Sequence, residues 1–144
     1  MKTRLTLFFI AVASFFVQAQ NTEACTETLS LMSTSVKAKD VTAYDYLTTL
    51  RKDCPSFHKS IYTLGEFAVK LKIEKATTPQ DKEKYVRDLL KLYDEHDQYF
   101  PNNGAGNKMK KGLALFENKI GTSDEVFQLL DVAFKTDYAN CKYA

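Results

Sequence analysis

The residues of this sequence that could take part in chemistry are few: three cysteines and two histidines among 144 residues. They show no close spacing such as Cys-x-x-Cys, which metal sites use to bring ligands together. The stretch "GAGNKMKKG" lacks the spacing of a phosphate-binding loop, and no Gly-x-Ser-x-Gly pattern marks a nucleophile. The sequence therefore predicts no metal, no cofactor and no catalytic centre.

His96 lies in "YDEHDQ", where acidic residues flank it on both sides. It could be a general base or a metal ligand, but immediate neighbours on a helix point in other directions. His96 also continues an apolar stripe, so we predict a histidine at the edge of the core. The alternative is an enzyme or small-ligand carrier in which His96 meets a carboxylate from another helix. His58 is predicted to lie at the surface.

Apolar residues recur at helical spacing along nearly the whole chain, and no comparable alternation indicates strands. The helices are predicted at residues 22–37, 41–52 and 57–75, from 79 to about 99, from the "PNNGAGN" turn to about 120, and from 122 onward. Their short connections favour antiparallel neighbours. The predicted fold class is therefore all-α, with six helices in three antiparallel hairpins.

Capping residues mark several of these helix starts. Asp40 is the expected N-cap of the second helix, and Thr78 precedes a proline at the first position of the fourth. Thr122 and Glu125 have the spacing of a capping box before the sixth helix. Apolar residues at helical spacing are expected to face inward: Ile61 and Ala68 in the third helix, Leu89, Leu92 and Tyr93 in the fourth, Phe116 in the fifth and Phe134 in the sixth.

Cys25 lies at the start of the first predicted helix, and Cys54 follows the second. In an antiparallel hairpin the start of one helix lies beside the end of the next, so we predict a Cys25–Cys54 disulfide. It would close a loop of about 30 residues and stabilise the fold by roughly 3 to 4 kcal/mol in the chain-entropy model. Two buried thiols that merely pack are the alternative. Cys141 is left over, as a free thiol or as a link to another chain.

The first residues have the features of an export signal: Lys2 and Arg4, the apolar run "LTLFFIAVASFFV", and "VQA" before a predicted cleavage after Ala19. We predict a signal peptide at 1–19 and one domain at 20–144, in a periplasmic or secreted protein. Without the signal, basic and acidic residues are equal in number, which disfavours nucleic-acid binding. No second long apolar run follows, so no membrane span is predicted in the mature chain.

Ala43, Leu47, Leu50 and Pro55 in "DVTAYDYLTTLRKDCPSF" fall at the offsets of the second helix of a tetratricopeptide repeat. The chain resembles the N-terminal part of secreted tetratricopeptide-like proteins of the Bacteroidota. Three segments carry this resemblance: "CTETLSLMSTSVKAKDVTAYDYLTTLRKDCP", "IYTLGEFAVKLKIEKA" and "KYVRDLLKLYDEHDQYFP". The resemblance covers nearly all of the mature chain. It implies a TPR-like α-solenoid in an exported protein.

Solenoids of this kind usually bind partners on the concave surface, which the first helix of each pair lines. In the third helix, this surface is expected to carry Tyr62, Glu66 and Lys70. The sequence thus predicts an exported helical-repeat protein, not an enzyme, that binds or scaffolds another protein in the cell envelope.

An alternative is that the chain is the N-terminal fragment of a longer repeat protein. A terminal repeat normally has a polar outer side, because nothing stacks on it. A fragment is therefore expected to leave an uncovered apolar face on the sixth helix, where Phe127, Leu129 and Phe134 lie.

Overall fold

All regular structure in the described part of the chain is helical. The structure is a computed structural model that describes residues 22–101, 106–136 and 138. Six α-helices and no strand lie within these residues, so the predicted all-α class with six helices is confirmed. The predicted signal peptide at 1–19 and Cys141 lie outside the described residues.

The six helices follow one another with short connections. They are α1 at residues 22–37, α2 at Ala43–Asp53, α3 at Ser60–Lys75, α4 at Pro79–Tyr99, α5 at Gly106–Asn118 and α6 at Ser123–Thr136. None of the described helices is both long enough and apolar enough to cross a membrane.

Two helices begin later than the sequence predicts. Asp40 is not the N-cap of α2; its carboxylate accepts a hydrogen bond from the N–H of Thr42 at 2.9 Å and stabilises the turn before the helix. The start of α3 moves to Ser60 because the N–H of Phe57 donates to the carbonyl of Cys54 at 3.1 Å. That turn takes Phe57 out of the helix, and its ring packs half-buried against the core.

Other predicted caps are present. The Thr78 hydroxyl accepts a hydrogen bond from the N–H of Asp81 at 3.1 Å, and Pro79 is the first residue of α4. The Thr122 hydroxyl accepts from the N–H of Glu125 at 3.1 Å. The Glu125 carboxylate forms an ion pair with Arg87 of α4. Of the predicted capping box, the described hydrogen bonds therefore include only the one to the Thr122 hydroxyl.

Each helix from α2 to α6 contacts the next one in the chain. A continuous core results, in which the most deeply buried large side chains are Met32, Leu47, Leu50, Ile61, Tyr62, Val69, Val86, Leu89, Leu92 and Leu115. Gly65 permits close approach of α2 and α3, because a Cβ atom there would lie 2.6 Å from Cδ1 of Leu47.

Polar side chains also join alternate helices. The guanidinium of Arg51 in α2 donates to Asp88 at 2.9 Å and to Glu95 at 2.7 Å, both in α4. Burial opposes the charge of Arg51, but the hydrogen bond to Glu95 and the charge of Asp88 outweigh burial and raise the pKa of Arg51. The hydroxyl of Tyr44 donates to the same Asp88 carboxylate at 2.9 Å. This network fixes α2 against α4.

Cys25 and Cys54 lie at the distance expected for the predicted disulfide. Their sulfur atoms are 1.99 Å apart and their Cα atoms are 6.0 Å apart, which is compatible with a covalent bond. The pair joins the first turn of α1 to the residue that ends α2.

Candidate functional site

A cleft of about 590 Å³ lies between α3, α4 and α5. Its floor is largely apolar and includes Ile73 of α3 and Leu89 and Tyr93 of α4. Charged side chains of both signs surround this floor: Glu66, Lys70, Glu74, Lys82, Lys110 and Glu117. An apolar base with a mixed charged rim can accept a side chain of another molecule and orient it through the rim charges.

Glu66 is the central charged group of the rim. Its carboxylate accepts hydrogen bonds from Nζ of Lys70, one turn later in α3, and from Nζ of Lys110 in α5, each at 2.7 Å. Burial by itself raises the pKa of the Glu66 carboxyl, but hydrogen bonds from Lys110 and Lys70 outweigh burial and lower it. The ionised carboxylate therefore ties α3 to α5 across one end of the cleft.

Tyr93 lies in the floor of the cleft and contacts Lys110. Its ring is buried, and Nζ of Lys110 lies 5.5 Å from the ring centroid, within cation–π range. Burial and then the negative charge of Glu66 raise the pKa of the Tyr93 hydroxyl. Tyr93 therefore remains neutral and Lys110 is held between an aromatic face and a carboxylate.

A second cleft of about 300 Å³ adjoins α3 on its other side, toward Val36 and Lys39 at the end of α1. Lys70 and Glu74 line both clefts. The ring of Phe67 is 61% exposed beside the second cleft. One surface of α3 thus carries two charges, Lys70 and Glu74, between two adjacent recesses, and the aromatic ring of Phe67 lies at the second recess.

Two of the three predicted binding residues lie at this surface, and the third does not. Glu66 and Lys70 line the first cleft. The expectation that Tyr62 is exposed is wrong, because Tyr62 is only 2% exposed. Its hydroxyl donates to the carbonyl of Pro55 at 2.9 Å, and its ring stacks on His96 with centroids 5.3 Å apart.

The burial of Tyr62 follows from the position of α3 between α2 and α4. A helix with neighbours on two sides buries two stripes. The sequence predicted the stripe that includes Ile61 and Ala68, whereas Tyr62, Val69 and Ile73 form a second buried stripe. Spacing alone identified the first stripe only, since a tyrosine is equally compatible with a polar face.

His96 is half-buried at the core edge, as predicted. Its Nδ1 lies 3.3 Å from the side-chain amide nitrogen of Asn107 in α5, and that nitrogen also donates to Asp97 at 2.7 Å. Burial lowers the pKa of His96. The described hydrogen-bonding neighbour of His96 from another helix is thus an amide, and the charge of the Glu66 carboxylate in α3 also acts on His96.

His58 is exposed, as predicted, and its Nδ1 accepts a hydrogen bond from the N–H of Ser60 at 3.1 Å. His58 therefore helps to begin α3. Within the part of the chain that the structure describes, no group of three or more His, Cys, Asp or Glu residues is arranged to hold a metal ion.

The outer part of α5 and α6 has a different character. Phe116 and Phe127 are 67% and 68% exposed and line an apolar cleft of about 550 Å³ between the two helices. Phe134 is 51% exposed. The expected inward positions of Phe116 and Phe134 are therefore wrong, whereas Leu129 is half-buried against the core.

Close packing of α5 on α6 lies one turn before Phe116. Gly112 is buried in α5, and a Cβ atom there would lie 2.6 Å from Cδ2 of Leu130 in α6. Gly112, which the apolar pattern overlooks, thus lies in the contact with α6. Lys110 was likewise missed as a cleft residue, because its pairing with Glu66 depends on tertiary structure.

Comparison of the chain with protein-family models, with curated proteins and with solved structures finds no match.

Proposed function

We propose that this chain is an exported helical-repeat protein that binds another protein in the cell envelope and performs no catalysis. The observation that carries the proposal is the cleft of about 590 Å³, whose apolar floor is bordered by the Lys70–Glu66–Lys110 bridge. Its charges are of both signs, so it suits a protein segment with an apolar side chain and neighbouring charges better than a uniformly charged ligand.

The packing order supports a TPR-like α-solenoid made of three antiparallel hairpins. Consecutive helices from α2 to α6 contact each other, while side-chain pairs join α2 to α4, α3 to α5 and α4 to α6. Stacked hairpins have this order, because the first helices of successive pairs form one row and the second helices form another. The resemblance of the sequence to tetratricopeptide-like proteins points to the same architecture.

In such a stack, α1, α3 and α5 are the first helices of the three pairs and line the binding surface. The first cleft lies toward α5 and the second toward α1, with Lys70 and Glu74 of α3 between them. A partner segment that crosses α3 can therefore place side chains in both recesses. We assign partner binding to Glu66 and Lys70, and we remove Tyr62 from the proposed site.

Export is supported by two features. Residues 1–19 have the composition of a signal peptide. Cys25 and Cys54 lie at bonding distance, and disulfides persist in oxidising compartments such as the periplasm and the extracellular space. Both features together support a periplasmic or secreted location.

The proposal is tested by capture of partners from an envelope extract with tagged wild-type protein and with Lys70→Ala. Lys91→Ala is the matched control, because Lys91 is also an exposed lysine in an i,i+4 pair but lies outside both clefts. We expect a reproducible partner that Lys70→Ala loses and Lys91→Ala retains. Equal capture by all three proteins would contradict the proposed binding surface.

A further inference from the structure

Aromatic side chains form an exposed stripe along α6 and just beyond it. Phe127, Phe134 and Tyr138 are separated by seven and four residues, so they lie on one face of the helix. Their exposed fractions are 68%, 51% and 59%. The rings of Phe134 and Tyr138 contact edge to face with centroids 4.8 Å apart, and Phe116 of α5 borders the stripe beside Phe127.

The stripe is large for a surface that faces water. With about 200 Å² for each aromatic side chain, the exposed fractions of Phe127, Phe134 and Tyr138 correspond to roughly 360 Å². Phe116, which is 67% exposed, brings the exposed aromatic surface to roughly 500 Å². That area is near the upper limit of about 600 Å² for the largest apolar patch of a typical monomer. The aromatic surface alone is thus more than half of the roughly 800 Å² that each partner buries in a standard interface.

The charges beside the stripe suit a copy of the same helix running in the opposite direction. Asp124 lies near the start of α6 and Lys135 near its end, on the same side of the stripe. A two-fold axis between Leu130 and Asp131 places Phe127 opposite Phe134 of the second copy. The same axis places Asp124 within one turn of Lys135 of the second copy, so opposite charges meet at both ends.

Charge near the axis does not oppose this arrangement. Asp131 would lie close to Asp131 of the second copy. Its carboxylate accepts a hydrogen bond from Nζ of Lys135 at 2.7 Å, which reduces the repulsion between the two carboxylates. We infer that the aromatic face of α6, together with Phe116, joins two copies of this chain in an antiparallel, two-fold symmetric dimer. None of the stripe residues lines either cleft of α3, so both clefts remain free in each copy.

Sedimentation velocity of residues 20–144, at concentrations from about 1 to 100 µM, tests the dimer. Every described contact lies within these residues. We expect dimers for the wild type and a dissociation constant at least about 30-fold weaker for Phe127→Glu. Phe67→Glu is the matched control, since Phe67 is similarly exposed on α3, and it is expected to dimerise like the wild type.

The charged pair tests the register of the dimer. Asp124→Lys alone and Lys135→Asp alone are each expected to weaken association roughly five- to tenfold, because symmetry applies each change twice. Because Lys135 also pairs with Asp131, the matched test inverts all three charges: Asp124→Lys, Asp131→Lys and Lys135→Asp together keep both pairs with opposite sign and are expected to recover the wild-type constant. A wild type that stays monomeric at the highest concentration, as expected if a following repeat of a longer chain covers this face, would overturn the dimer, and so would a Phe127→Glu variant that dimerises normally. A triple variant that remains weak would overturn the antiparallel register.

Discussion

The bridge that Glu66 forms between α3 and α5 can be tested by Glu66→Gln, which keeps the shape of the side chain and removes its charge. The Glu66 side chain is only 15% exposed, and it binds two lysines at 2.7 Å each. The substitution therefore weakens two charge-assisted hydrogen bonds without opening a cavity.

The magnitude follows from the exposure of the partners. Lys70 is largely exposed and forms an i,i+4 pair with Glu66. Its share of the lost unfolding free energy is therefore about 0.3–0.5 kcal/mol. Lys110 joins a different helix and is held between Glu66 and the Tyr93 ring, so its share is nearer 1 kcal/mol. Together these terms give a loss of about 1–2 kcal/mol in the free energy of unfolding, or roughly 3–8 °C in Tm.

Urea unfolding followed by circular dichroism measures this loss, and its dependence on pH identifies the cause. The folded-state pKa of Glu66 is lowered, so its stabilising contribution is present above the unfolded-state pKa of about 4.3 and is lost as the pH falls through the folded pKa. The difference between wild type and Glu66→Gln is therefore full near neutral pH. This difference in the free energy of unfolding disappears once the pH falls below the lowered pKa of Glu66.

Glu83→Gln serves as the control, because Glu83 makes an exposed i,i+4 contact with Arg87 at 3.6 Å and belongs to neither cleft. Its expected loss is below about 0.5 kcal/mol. A Glu66→Gln variant as stable as the control, or a loss that persists unchanged in acid, would refute the assignment of Glu66 as the charged link between α3 and α5.

Two further predictions concern packing and acid sensitivity. Gly112→Ala is expected to lower stability by about 1–3 kcal/mol in thermal unfolding, because the new Cβ meets Leu130 at 2.6 Å. Gly106→Ala has no atom within 4 Å of its Cβ and should cost nothing; equal losses would contradict the close contact. Burial lowers the pKa of His96, so its neutral form stabilises the fold above the unfolded-state pKa of about 6.5, and this contribution is lost as the pH falls through the folded pKa. His96→Gln should reduce the decline in urea-derived stability between about pH 7 and 5, and an unchanged decline would count against this role.

Local signals in the sequence were sufficient to predict the six helices. Thr78 and Pro79 fix the start of α4, because a hydroxyl acceptor and a preset backbone angle act within one turn of the helix. Leu89, Leu92 and Tyr93 are buried, as the stripe in that helix predicts. Such features depend on neighbours a few residues away, which the sequence displays directly.

Features that depend on which helices become neighbours were harder to predict from the sequence. Tyr62 is buried because α3 packs on two sides, and the pattern of one helix does not reveal how many neighbours it has. Lys110 reaches Glu66 although they are 44 residues apart. Phe116 is 67% exposed although it continues the apolar spacing of α5, whereas Gly112 packs closely against Leu130 of α6. These outcomes are set by tertiary packing and by small side chains.

The most direct test of partner binding is a photo-crosslinking side chain placed at Glu74, which lines both clefts, in cells that export the protein. The same probe at Lys91, outside both clefts, is the control. We expect one reproducible crosslinked protein from position 74, absent from position 91 and lost when Lys70→Ala is added. The same crosslinks from both positions, or none from position 74, would contradict the claim that this surface binds a protein partner.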